Sequence, residues 1–205
     1  MRKILLSILT IALVVTATAG ATRAQYSDTE TSTGNTFTSG SLDLDVDGNN
    51  GTNTVKFTVT GMKPGSQPKG TYHLNNVGSI PGYLDIENIS VTSNENSCVD
   101  PESDAGDSSC GNPGAGEGEL QDVVNLRLFE DNDCDGWIGA GETVFYNGMT
   151  GSVAGNYERN KQINAGGFTC VTAIFDWGST ADDNKAMGDD MTLNLTFELA
   201  QTTGQ

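Results

Sequence analysis

Segment after segment of this chain alternates apolar and polar residues with a period of two, and no other feature narrows its possible folds as far. Residues 41–47 set Leu42, Leu44 and Val46 between Asp43, Asp45 and Asp47, and residues 54–60 repeat the pattern through Val55, Phe57 and Val59. Residues 71–77, 83–91, 123–130, 143–146, 169–177 and 191–200 complete the series of predicted strands. Gly, Pro, Asn and Asp punctuate nearly every gap, as in Asn49-Asn50-Gly51, Lys63-Pro64-Gly65 and Ile80-Pro81-Gly82. These residues turn a chain because they supply a positive φ, a fixed φ, or a side chain that bonds its own backbone. No helical period separates the strands. The series therefore predicts an all-β protein, a jelly-roll-like antiparallel β-sandwich of two sheets packed face to face. Residues 93–119 fall outside the pattern: acidic, glycine-rich and poor in apolar side chains, they read as an inserted loop. Residues 180–190 read as a second polar loop.

Charge removes whole classes of function. Among 205 residues, 27 are acidic and 10 basic, for a net charge of -17. A surface that binds nucleic acid or an anionic membrane needs a basic footprint, so neither partner is expected. His73 is the single histidine, which rules out a site built on two imidazoles.

The amino terminus reads as an export signal. Arg2 and Lys3 precede an apolar run over residues 4–15, and the small residues Ala17, Ala19, Gly20 and Ala21 follow. The run falls short of the roughly 20 residues that span a bilayer, and small residues mark a cleavage zone. Residues 1–24 are therefore expected to be a signal peptide, cut by signal peptidase after Ala24 or Ala21; a retained anchor is the alternative. Cleavage after Ala24 leaves 7 basic against 27 acidic residues, a mature charge of -20 with no membrane span. Residues 35–205 then form one sandwich domain.

Export makes the cysteines readable. Cys98, Cys110, Cys134 and Cys170 allow three pairings, and an oxidising compartment favours disulfides over free thiols. Cys98 and Cys110 bracket a mobile-looking Gly/Ser/Asp stretch, and pairing them leaves Cys134 for Cys170. Zinc is a poor alternative, since the chain has no C-x-x-C pair.

One stretch carries specific chemistry. Residues 131–142 read Asp-Asn-Asp-Cys-Asp-Gly-Trp-Ile-Gly-Ala-Gly-Glu, the calcium-loop template of alternate carboxylates, a turn glycine and a final Glu. Asp131, Asp133 and Asp135 would converge on one Ca²⁺, with the Trp137 carbonyl and a bidentate Glu142 completing the set. Predicted strands flank it, so this is a calcium loop on a β-scaffold and not a helix–loop–helix sensor. The plainer reading is an acidic solvated turn. Asn50, Asn88 and Asn194 each open an N-x-S/T triplet open to glycosylation in an exported protein. No Ser/His/Asp grouping and no H-E-x-x-H motif is present, and the expectation is that the chain is not an enzyme.

The junction after the signal reads Ala24-Gln25-Tyr26-Ser27-Asp28-Thr29-Glu30-Thr31-Ser32-Thr33-Gly34-Asn35-Thr36-Phe37, then Ser39-Gly40-Ser41-Leu42-Asp43-Leu44. Further echoes are Met62-Lys63-Pro64-Gly65, the 74–82 segment and Leu193-Asn194-Leu195-Thr196-Phe197-Glu198. In these residues the chain resembles the TasA/camelysin family of secreted biofilm-matrix proteins, and the fibre subunits of archaeal bundling pili. The resemblance implies a structural subunit of an extracellular filament or cell surface, a head-to-tail homopolymer of this chain with itself. It also implies that residues 25–34, with Gln25, Tyr26, Ser27, Asp28, Thr29, Glu30 and Thr31 as the donor strand, complete the sheet of the next subunit. The four cysteines and the 93–119 insertion depart from the family pattern. Two other functions stand beside the filament: a monomeric calcium-dependent surface adhesin, and a camelysin-type secreted metalloprotease.

Overall fold

The computed structural model describes residues 2–20, 38–51, 54–56 and 59–204. Its strands follow in order as β1 (Leu44–Val46), β2 (Asn49–Asn50), β3 (Lys69–Asn76), β4 (Gly82–Glu95), β5 (Gly114–Ala115) and β6 (Asn125–Asp131). β7 (Thr143–Met149), β8 (Tyr157–Ile163), β9 (Phe168–Asp176) and β10 (Asp190–Ala200) complete them. Helices α1 (Arg2–Gly20), α2 (Asp100–Ala105) and α3 (Leu120–Val123) interrupt the series. The chain divides into two units, residues 1–38 and 39–205, and α1 is the described element of the first. α1 covers the apolar run assigned to the signal; the cleavage points after Ala21 and Ala24 and the donor-strand residues 25–34 lie outside the described residues. Among the described residues no helix is long and apolar enough to cross a membrane.

Residues 39–205 form the antiparallel sandwich that the alternation predicts. The first sheet runs β2-β1-β3-β9-β6-β7. In the second, β4 is central, with β10 along one edge and the other edge shared by β8 and β5. Alternation becomes burial along β3, where Gly70, Tyr72, Leu74 and Asn76 are buried and the residues between them are not. Strand β9 lies between β3 and β6 and is buried on both faces from Thr169 to Phe175. Its Val171, Ala173 and Phe175 join Leu74, Leu84, Ile86, Leu126 and Leu128 in the core between the sheets. Truncating one such leucine to alanine costs about 2–5 kcal/mol, because lost transfer energy and a cavity add. Glu130 ties the sheets together from the side: it accepts hydrogen bonds from Arg159 of β8 (3.1 and 3.0 Å) and pairs with Lys161 at 3.4 Å.

The 74–82 segment shows why its small and amide residues are where they are. Fully buried Asn76 donates to the carbonyls of Ile80 (2.8 Å) and Ile163 (3.0 Å) and accepts the Gly78 amide. A Cβ on Gly78 would fall 2.3 Å from the Ser41 carbonyl oxygen, so only glycine lets the two backbones meet.

The structure departs from the sequence reading in four places. Residues 54–56 and 59–60 belong to no strand, and Val55 is 71% exposed; alternation without a sheet face to bury has nothing to hold it. β8 was not expected, because Tyr-Glu-Arg-Asn-Lys-Gln-Ile lacks an apolar stripe, yet backbone pairing with the start of β4 makes it an edge strand. Residues 93–119 are not a featureless loop: they carry α2, a 3₁₀ turn over Ser109–Gly111 and β5. The 180–190 stretch holds a 3₁₀ turn, Asp183–Ala186.

Candidate functional site

The twelve residues of the 131–142 loop join β6 to β7 at one end of the first sheet. Its anchor is Asp131, last residue of β6 and fully buried. Asp131 stands opposite Cys170 of β9 in the ladder. Its Oδ2 accepts the Gly136 amide at 2.8 Å and the Thr172 hydroxyl at 2.7 Å, and its Oδ1 accepts the Asp135 amide at 3.2 Å. The loop therefore wraps around a carboxylate rooted in the sheet. Gly136 takes a φ of +79°, where a side chain is strained, and a Cβ there would also meet Lys69 Nζ at 2.9 Å.

The other predicted ligands use the same local chemistry. Asp133 Oδ1 faces the Asp135 amide at 3.4 Å, and Asp135 Oδ1 accepts the Trp137 amide at 2.6 Å. Glu142 closes the loop, its two oxygens accepting the amides of Asn132 (2.7 Å) and Gly139 (2.6 Å). Carboxylate oxygens of Asp131, Asp133 and Glu142 lie within 4.8 Å of one another. Asp135 is outside that trio, held by its bond to Trp137. Trp137 is 52% exposed, with the Lys69 ammonium 3.6 Å from its ring centroid, a cation–π contact. Partial desolvation, then the charges of Asp135 and Glu142, raise the Asp133 carboxyl, against the Asp135 amide that holds it down.

Disulfides join Cys134 to Cys170 and Cys98 to Cys110. The first bolts the 131–142 loop to β9; the second staples the 93–119 segment. Asn50, Asn88 and Asn194 are all exposed. His73 is exposed too, its Nδ1 3.3 Å from Cys170 Sγ.

At the opposite margin of the sandwich lies an open groove of about 320 Å³, lined by Leu42, Asp43, Leu44, Glu87 and residues 196–199. It separates β1 of one sheet from β10 of the other. Among the described residues β10 pairs only with β4, so its outer edge is free over eleven residues. Met191, Leu193, Leu195, Phe197 and Leu199 on that strand are only half-buried against the core.

The family model described as camelysin metallo-endopeptidase matches residues 1–112, more than half of the 205-residue chain. The chain belongs to the camelysin family. The resemblance read from the 24–44 junction thus stands, without evidence for its extension to archaeal bundling pili. The match ends before β6, so the 131–142 loop lies beyond it. No curated protein matches the chain significantly.

That family description corrects one expectation. The lack of a zinc motif predicts no enzyme, whereas the family to which the chain belongs is described as a metallo-endopeptidase. A family relation is spread over many positions and need not show as one contiguous motif. As for the metal such an enzyme implies, the donor groups gathered among the described residues are mostly carboxylates. The one group with an imidazole, His73 with Cys134 and Cys170, has both sulfurs in a disulfide. All-oxygen sets suit a hard cation such as calcium, and they do not fit the nitrogen and sulfur set that zinc takes.

Sequence reasoning missed a second gathering of acids. Glu95, Glu102, Asp107, Glu119 and Asp189 meet in space although 94 positions separate the first from the last. Their spacing follows no motif. The only signal was an excess of acids around the Cys98–Cys110 staple.

Proposed function

We propose that the chain is an exported structural subunit of an extracellular filament, built when residues 25–34 of one copy add a strand to the next, with calcium seated in the 131–142 loop. The observation that carries this reading is the free edge of β10 beside the groove. An eleven-residue edge with unpaired N–H and C=O groups is a template for another strand, and half-buried Leu193, Leu195, Phe197 and Leu199 leave apolar surface for an added strand to cover. Backbone pairing supplies affinity and Tyr26 supplies an anchor, the β-augmentation mode. A donor from one copy and an acceptor on the next make a head-to-tail contact that does not close, so it grows a filament. Asp131, Asp133 and Glu142, already within 4.8 Å of one another, support the calcium assignment, with Asp135 and the Trp137 carbonyl completing the shell.

Deleting residues 25–33 is expected to leave a folded monomer that does not polymerise, and the same segment added as a free peptide is expected to cap growing filaments. Filaments of normal length from the truncated protein would contradict donor-strand exchange.

The family description favours a second reading, a secreted metallo-endopeptidase. Casein digestion by purified protein, abolished by a chelator and restored by metal, is its test; no digestion in any metal buffer contradicts it.

A further inference from the structure

Five carboxylates from separate elements converge beside the 93–119 segment: Glu95 at the end of β4, Glu102 in α2, Asp107 after it, Glu119 before α3, and Asp189 before β10. Glu95 is 2% exposed and Glu102 is fully buried. Oxygens of Glu95, Glu102 and Asp189 lie within 4.8 Å of one another, and so do those of Glu95, Asp107 and Glu119. Glu95 is common to both sets and stands at the centre.

Hydrogen bonds satisfy some of these oxygens and leave the others. Glu102 Oε2 accepts the Val99 amide, Asp107 Oδ1 accepts the Ser109 amide at 2.8 Å, and the single Ser109 hydroxyl proton is shared between Asp107 Oδ1 (2.8 Å) and Glu119 Oε1 (3.0 Å). Asp189 Oδ2 accepts the amides of Glu119 (2.6 Å) and Leu120 (3.2 Å). Both oxygens of Glu95, Oε1 of Glu102, Oε2 of Glu119 and Oδ1 of Asp189 are buried with no hydrogen-bond partner. The Ser97 amide favours the charge on Glu95 from outside hydrogen-bond geometry. Among the described residues no Lys or Arg forms an ion pair with any of the five; Lys185 pairs with Asp182 at 2.8 Å and feels Asp107 and Glu119 only at longer range.

A buried charge is tolerated only when paired or bound to metal. Here the unpartnered atoms are all hard oxygens, they come from separate stretches of the chain, and their carboxylates gather within 4.8 Å in two trios that share Glu95. Calcium takes six to eight such oxygens and accepts irregular geometry, whereas magnesium demands a near-octahedral shell and keeps its waters.

We propose that this cluster is a buried calcium-type cation site, with the ion among Glu95, Glu102 and Asp189 and with Glu119 and Asp107 on its flank, and that the ion folds the 93–119 segment onto the sandwich. The site shares no residue with the 131–142 loop.

The test is calcium stoichiometry by equilibrium dialysis on the full chain, stripped with chelator and returned to Ca²⁺, with Mg²⁺ as the comparison ion. Glu95→Gln should bind one calcium fewer per chain than the unmutated protein. It should also melt no lower than the unmutated protein in chelator, because it removes a repelling buried charge, and lower than it in calcium. Asp133→Ala should keep this calcium, so failure of the 131–142 assignment shows separately, as an Asp133→Ala protein with undiminished stoichiometry. Should Glu95→Gln not fold, Glu102→Gln carries the same readout. Unchanged stoichiometry in the Gln variant, or its melting below the unmutated protein by the same margin in both buffers, overturns the site.

Discussion

Between residues 131 and 142 every carboxylate has found an amide of its own loop, whereas both oxygens of Glu95 and Oε1 of Glu102 are buried with no hydrogen-bond partner. Both regions are acidic, both are tied by a disulfide, and both bring three or more carboxylates within metal-binding reach. What differs is who solvates the charge. In the loop, backbone N–H groups and the Thr172 hydroxyl do so, and the turn is hydrogen-bonded around Asp131. In the cluster, the protein supplies too few donors, so its fold is conditional on something positive arriving. A motif seen in sequence marks a place where a cation fits; orphaned buried oxygens mark a place where a proton or a cation must offset the charge.

The largest effect that sharpens this contrast is loss of the disulfides. Cys134→Ser with Cys170→Ser opens a 36-residue closure and should cost about 4 kcal/mol on chain-entropy grounds, with about 3 kcal/mol for the 12-residue Cys98–Cys110 closure. Urea denaturation reads both. The second cost should shrink in calcium, where the ion ties the same segment; equal costs in calcium and chelator would break the comparison.

Calcium removal comes next. A site held at about 100 times its Kd stabilises the folded state by about 2.7 kcal/mol, which for a domain of this size shifts the melting temperature by roughly 5–10 °C. Most of that shift should survive Asp133→Ala and vanish in Glu95→Gln. The reverse pattern, read by calorimetry, would reassign the dominant ion to the loop.

Smaller still are changes within the loop. In chelator, Asp131→Ala removes the buried acceptor of Gly136 and Thr172 and should cost about 1–2 kcal/mol; in calcium it should cost more, because a ligand is lost as well. Asp133→Ala, at an exposed position, should stay within about 0.5 kcal/mol in chelator. The smallest effect lies outside both regions. Burial alone would raise the Asp183 carboxyl, but hydrogen bonds from Trp177 and Thr180 more than offset it and hold it below the usual range. Its contribution is therefore present above the ordinary carboxylate range and lost as pH falls through its lowered value. Asp183→Asn should slightly flatten the acid limb of stability while leaving calcium binding unchanged.

Much of this molecule is legible because its information is local. Leu44 to Val46, the β3 stripe and the β10 alternation each declare a strand from a few adjacent residues, and residues 131–142 declare in the same way an acidic turn whose carboxylates gather. Val55 and Val59 show the limit: they alternate as well as Leu44 and Val46 do, but no neighbouring strand receives them. β8 fails in the other direction, since pairing with β4 at Gly82–Ile86 is tertiary and its only core-facing side chains, Tyr157 and Ile163, stand at its two ends without an alternating stripe between them. The five-acid cluster is the extreme case. Nothing about Glu95 in isolation tells of burial, and its partners arrive from α2, the α3 approach and the turn into β10.

Amide hydrogen exchange on the full chain, with and without calcium, compares the two regions in one experiment. Chelation is expected to speed exchange across residues 93–119 and around Asp189 far more than across residues 135–136, whose amides stay bonded to Asp131. Protection of residues 93–119 that is indifferent to calcium would contradict the account, because the buried oxygens of Glu95 and Glu102 would then need no cation at all.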